Sequence, residues 1–180
     1  MAKEKDELEI VEDKNENQAV KVLKGILPYL IILVVVVTIR VFIITPVIVS
    51  GESMVPKFDG GEVVLLNKLA KNSSYERFDI VVLKHDNDRI IKRVIGLPGE
   101  TIACENGVIY INDRKIDEDF EHGKTNDFKK VTLKDDEYFV LGDNRPNSLD
   151  SEELGPFKKD KILGKPVFVM WPFTKIGKIK

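Results

Sequence analysis

The chain has 180 residues, 43% hydrophobic and 32% charged, enough for one small domain with its own core plus additional segments. Lys and Arg number 28 against 30 Asp and Glu for a net charge of −2, and the basic residues are scattered, which excludes the basic footprint of a nucleic-acid binder. A lone Cys104 excludes an intrachain disulfide, and two distant histidines, His85 and His122, give no zinc spacing, so neither metal nor other cofactor is expected.

The first eighteen residues carry seven acids against three lysines and almost nothing apolar, a composition that predicts a disordered acidic tail over 1–20. The rest of the chain is left mildly basic, which suits a domain beside anionic lipid.

From Ile26 to Ile44 the residues are apolar apart from Tyr29, Thr38 and Arg40, a run of 19, about the length a helix needs to cross a bilayer. The β-branched series Ile31, Ile32 and Val34 to Val37 forms helix poorly in water, but in lipid a helix satisfies every backbone group. A cleaved leader is disfavoured by the acidic lead-in and by Thr45-Pro46 where small residues should stand. A buried core helix is disfavoured by the lack of a polar face. The expectation is a retained anchor over 21–45. Lys21 and Lys24 at one end, against Arg40 and Lys57 at the other, lean weakly towards a cytoplasmic N-terminus.

After Pro46 short β-branched or aromatic runs replace the apolar block. Val63–Leu66, Ile80–Leu83, Arg89–Ile95, Val108–Ile111, Tyr138–Leu141 and Val167–Trp171 read as strands separated by Gly, Asn, Asp or Pro. They predict an all-β domain over 46–180, antiparallel and folded over or barrel-like, with hairpin turns at Asn106-Gly107 and Asn112-Asp113. A polar excursion is expected at about 113–132.

Two residues in this domain carry possible chemistry. Ser53, in Ser50-Gly51-Glu52-Ser53-Met54-Val55-Pro56, sits where glycine and proline favour a rigid exposed turn; a serine there is also an ordinary turn residue. Lys92 lies in a strand with aliphatic residues on both faces, which implies partial burial. Burial lowers a lysine's pKa, and a lysine neutral near pH 7 can serve as a general base.

Four ordered blocks give these residues a context. Ser53-Met54-x-Pro56, Arg77-Phe78-Asp79-Ile80-Val81-Val82, Ile91-Lys92-Arg93-Val94-Ile95-Gly96-Leu97-Pro98-Gly99-Glu100 and Gly142-Asp143-Asn144-Arg145-Pro146-Asn147-Ser148-Leu149-Asp150-Ser151 resemble the motif set of bacterial type I signal peptidases. The likeness spans residues 26 to 172, anchor included. It implies a mainly β, membrane-anchored fold and a serine endopeptidase that removes signal peptides from secretory preproteins after small residues, outside the cell membrane. By the same resemblance Ser53 is the nucleophile, Lys92 the general base, Ser148 the residue that orients the lysine, and Arg93 and Asp143 a structural pair. The backbone N–H of Ser53 is the first oxyanion donor. Gly51 stands where some members carry a serine as the second, as in the Gram-positive pattern.

The likeness has a departure. Glu152 replaces the arginine that pairs in many members with the aspartate matching Asp150, so two carboxylates meet and Asp150 is expected to turn to Arg145. Pro46 to Val49 reads as an edge to which an extended preprotein segment adds by backbone pairing. By family correspondence, with Val47 from that edge, Val49, Met54, Phe58, Ile90 and Ile91 line shallow pockets for small side chains; each is also a plausible core residue. The partners expected are preproteins and membrane lipid. The competing reading from another class is a membrane-tethered β module that only binds, its serine and lysine incidental.

Overall fold

The computed structural model describes the backbone of residues 2–179 and the side chains from residue 18 onward, save those of residues 19 and 72. The chain divides after Phe42 into two units. The first is helix α1, Ala2–Thr38, closed by a π-helical turn over Ile39–Ile43. Helix runs on through the acidic lead-in where composition predicts disorder; that stretch is rich in Glu and Lys, which favour helix, and has no Gly or Pro. Its acidic side chains lie outside the described ones. Along this helix and turn Val20–Ile43, 24 residues whose most apolar 18 have a mean hydropathy of 2.8, is long and apolar enough to cross a membrane.

The second unit holds twelve strands among the described residues: β1 Ile44–Ile48, β2 Val63–Asn67, β3 Ile80–His85, β4 Asp88–Gly96, β5 Thr101–Glu105, β6 Val108–Ile111, β7 Arg114–Lys115, β8 Phe128–Thr132, β9 Glu137–Leu141, β10 Phe157–Lys158, β11 Ile162–Trp171 and β12 Gly177–Lys178. All pair antiparallel, in two open sheets. One runs β1-β2-β11-β3-β4-β9-β10 with β12 on β11, and the other β7-β6-β5-β8. β1 begins two residues before the end of the stretch assigned to the anchor, because Ile44 and Thr45 already pair with Asn67 and Leu66.

Turn chemistry explains the hairpins. Asn106 and Gly107 take φ of 54° and 77° between β5 and β6, and Asn112 and Asp113 take 51° and 63° between β6 and β7, the left-handed pairs a two-residue hairpin requires. β11 joins two neighbours, meeting β3 at Ile162 and Gly164 and β2 from Lys165 onward. Gly164 permits that passage: its φ is 152°, and a Cβ there would fall 2.2 Å from the Asn67 carbonyl oxygen.

Three apolar clusters fill the unit. Val49, Met54, Phe58, Val64, Ile80, Val82 and Ile91 form one; Tyr75, Val81, Leu83, Val94, Tyr138 and Val140 a second; Ile95, Ile102, Ile109, Phe139 and Leu141 a third between the sheets. β4 borders all three and is therefore a rigid carrier for what it bears.

Two backbone edges stay open. β1 ends the large sheet, and β9 reaches β4 only at Arg93, Val94 and Gly96, so Asp88–Lys92 is bonded to β3 alone.

The third cluster supplies a stability test. Phe139 is 1% exposed and stacks on Phe128 with ring centroids 5.1 Å apart, so Phe139→Ala should cost about 3–5 kcal/mol in a denaturant melt.

Candidate active site

Lys92 is carried by β4 one residue before β9 joins that strand, and only 2% of it is exposed. Its amine donates to Ser148 Oγ at 3.0 Å, and no carboxylate lies within ion-pair distance among the described residues. Burial pushes its pKa down to about 8, against the opposing pull of Asp150 and Asp143. The sequence-level inference from flanking aliphatics therefore matches the geometry.

Ser148 follows a short 3-10 turn over Arg145–Asn147 and donates its own hydroxyl to Asp150 Oδ2 at 2.5 Å. Asp150 is 1% exposed and is a hub: Oδ2 also accepts the Gly142 N–H at 2.9 Å, while Oδ1 caps helix α2 (Ser151–Leu154) by accepting the Glu152 N–H. With its proton committed to Asp150, Ser148 offers Lys92 a lone pair and so fixes the direction of the amine.

Ser53 lies in the turn that follows β1, half-buried. Its carbonyl accepts the Asn144 N–H at 3.0 Å, and the Asn144 amide donates to the Glu52 carbonyl at 3.0 Å, tying the turn to the 142–148 loop. Gly142 is where the parts converge. A Cβ there would lie 2.2 Å from Ser148 Oγ and 2.4 Å from the Ser53 carbonyl oxygen, so only a glycine lets both segments close up. No described hydrogen bond joins Ser53 Oγ to Lys92 Nζ; the structure brings the lysine to Ser148 and the serine's backbone to the same loop.

The other residues named from the sequence divide. Arg93 and Asp143 form the expected pair, bidentate at 2.8 and 2.6 Å and buried. Val47, Val49, Ile90 and Ile91 line a shallow depression of about 10 Å³ between β1 and β4. Met54 and Phe58, 1% and 2% exposed, are core side chains outside that lining. Gly51 adopts φ 79° in the turn before Ser53.

Asp150 does not turn to Arg145. Arg145 is buried and donates instead to both Glu118 carboxylate oxygens, to Thr125 Oγ1 and to the Gly142 carbonyl, because the 117–127 excursion folds back onto it. Three hydrogen-bond donors take the place of the missing arginine at Asp150. Burial, and then Asp150, push the Glu152 carboxyl above its ordinary range, and its Oε1 is buried without a partner.

The sequence reading missed Glu118, Phe120 and Thr125. Phe120 lies under the Arg93 guanidinium, 4.0 Å from ring centroid to Cζ, and Gly123 N donates to the Asp143 carbonyl. Nothing local marks these positions in a polar stretch, since their partners lie 20 or more residues away.

This clustering of separated motifs agrees with comparison against known proteins. The family model described as "Signal peptidase, peptidase S26" matches residues 22–171. The chain belongs to that family. It is 41% identical to a signal peptidase I of Bacillus amyloliquefaciens over 84% of this chain and 89% of the relative. It is 40% identical to signal peptidase I S of Bacillus subtilis (strain 168) over 92% and 98%. A crystal structure of a signal peptidase I from Enterococcus faecalis V583 aligns with a TM-score of 0.47 at 33% identity, over 52% of this chain and 97% of that one. Family membership makes the chain a hydrolase of signal-peptide processing, a serine protease.

Gly142 gives the sharpest test of this arrangement. Gly142→Ala should lower cleavage of a preprotein about a hundredfold and lower the melting temperature as well, since the added methyl meets both Ser148 Oγ and the Ser53 backbone carbonyl.

Proposed function

We propose that Ser53 and Lys92 form the catalytic dyad of a membrane-tethered endopeptidase that cleaves secretory preproteins after small residues. The observation that carries this is a buried amine with pKa lowered to about 8, aimed by Ser148 beside the turn that holds Ser53.

The neutral Lys92 amine has two protons and one lone pair. One N–H goes to Ser148, which leaves the lone pair to take the proton from Ser53 Oγ as that oxygen attacks the carbonyl carbon. The oxyanion so formed is met by the Ser53 N–H, a donor in the same turn. The resulting ammonium then protonates the leaving amine, the new N-terminus of the mature chain. Lys92 next takes a proton from water, whose oxygen attacks the acyl ester, and returns it to Ser53 Oγ as the signal peptide leaves. Gly51 at φ 79° supplies the left-handed backbone that the turn before Ser53 adopts.

The open edges of β1 and of Asp88–Lys92 in β4 face a strand's need for two partners. An extended segment of the preprotein pairs between them, and the small depression lined by Val47, Val49, Ile90 and Ile91 has room for about one water-sized group, which admits small side chains only. Val20–Ile43 spans the membrane with the N-terminus in the cytoplasm, so the β unit works at the outer lipid surface where exported chains emerge.

Two measurements check this. Ser53→Ala and Lys92→Ala in the full chain should each lower preprotein cleavage at least about a thousandfold; wild-type cleavage with either variant sinks the dyad. For the wild type, kcat/KM should rise with pH through a midpoint of about 8, because the charged amine below it has no lone pair; a profile flat from pH 6 to 10 contradicts a lysine base.

A further inference from the structure

The shallow depression between β1 and β4 is mostly aliphatic, and of the residues that line it Arg89 alone is charged. None of the chemistry above uses that residue. Arg89 is exposed and has no ion-pair partner among the described residues.

Strand alternation decides what else stands at that end. β3 and β4 pair Val82 with Ile91 and Lys84 with Arg89, so these four side chains share one face of the hairpin. Val82 and Ile91 belong to the first apolar cluster and line the depression, which puts Lys84 beside Arg89 on the depression's side of the sheet. Lys84 is exposed, and it too has no ion-pair partner among the described residues.

The carboxylates of the hairpin turn go the other way. Leu83 and His85 lie on the opposite face, where Leu83 joins the second cluster and the His85 ring meets Phe157 of that cluster with centroids 6.1 Å apart. Asp88 pairs in register with His85, and Asp86 Oδ2 lies 3.7 Å from His85 Nε2. Two cations are therefore left on the depression's side, with no carboxylate in its lining to offset them.

Chain order sets the direction of a bound peptide. Along β4 the depression takes Arg89 to Ile91 and the amine follows on Lys92; along β1 and its turn it takes Val47 to Ser50 and the hydroxyl follows on Ser53. A peptide pairing between these walls, with small residues in the depression and its scissile bond at the dyad, runs parallel to β4 with its earlier residues towards Arg89. Inward side chains recur at every second residue. With the residue before the cut at the dyad, the third before it lies over Ile91, and the fifth lies beside Arg89.

We infer that Arg89, with Lys84 behind it, selects the fifth residue before the cut and favours an acidic side chain there over a basic one. The inference rests on Ser53 and Lys92 being the dyad. Because Arg89 is exposed, water and salt screen it, and the selection is severalfold rather than absolute.

The test uses the full chain in detergent micelles and preproteins that differ only in carrying Glu, Gln or Lys at the fifth residue before the cut. At low salt the wild type should give kcat/KM in the order Glu, Gln, Lys with a total spread of about fivefold, and about 1 M NaCl should remove most of that spread. Arg89→Glu should invert the order, and Asp88→Asn, a change on the other face, should keep it. The same three residues at the fourth position, which points away from the depression, should not follow that order. Equal kcat/KM for the three substrates with the wild type at low salt overturns the inference, as does an order that survives Arg89→Glu; an equal spread at the fourth position overturns the facing assigned to Arg89. Failure to cleave any of the substrates would instead remove the proteolytic reading itself, and this inference with it.

Discussion

Keeping a lysine amine away from water is the constraint from which the rest of the site follows. A charged ammonium in such a place loses hydration that one hydroxyl cannot replace, so the neutral form gains and the group becomes a usable base near neutral pH. A carboxylate in direct contact would undo this by stabilising the charge. The structure keeps Asp150 one residue removed, with Ser148 between acid and amine. Asp150 thus orients the amine through a hydroxyl, and its charge reaches Lys92 only as a weaker opposing pull.

The fold supplies rigidity where that geometry needs it. β4 is bordered by all three apolar clusters, so Lys92 sits on a strand that cannot shift without disturbing the core. The opposing loop has little secondary structure and is fixed by polar contacts instead: Gly142 N and Ser148 Oγ on Asp150, Arg145 on the Gly142 carbonyl, Asn144 on the Ser53 turn. The contacts of Asp150 and Arg145 are buried or nearly so, where satisfied polar networks hold a single arrangement. Arg145 then passes the constraint outward to Glu118, so a loop that looks like surface in the sequence becomes part of the site's frame.

How much of this the sequence displayed depends on the range of the signal. Strands with β-branched runs such as Ile80–Leu83 and Val108–Ile111 were legible, and so were the hairpins whose Asn-Gly or Asn-Asp pairs must take positive φ. β5 and β8 were not, because Thr101–Glu105 and Phe128–Thr132 mix charged and small residues and become strands only by pairing with each other and with β6. Arg93 with Asp143 could be read from motif positions. Glu118 with Arg145 could not: the two lie 27 positions apart, and a glutamate in a run of acids carries no mark of its partner. The missing arginine at Glu152 was visible, but its replacement by backbone and hydroxyl donors was not, since such bonds depend on how the loop closes.

The account stands on the protonation state of one amine, and that is best measured at the atom itself. With lysine Cε labelled in the full-length Ser53→Ala chain in micelles, the Lys92 signal, assigned by its loss in Lys92→Met, should titrate with a midpoint of about 8. A midpoint above 10, that of a lysine in water, would contradict the account.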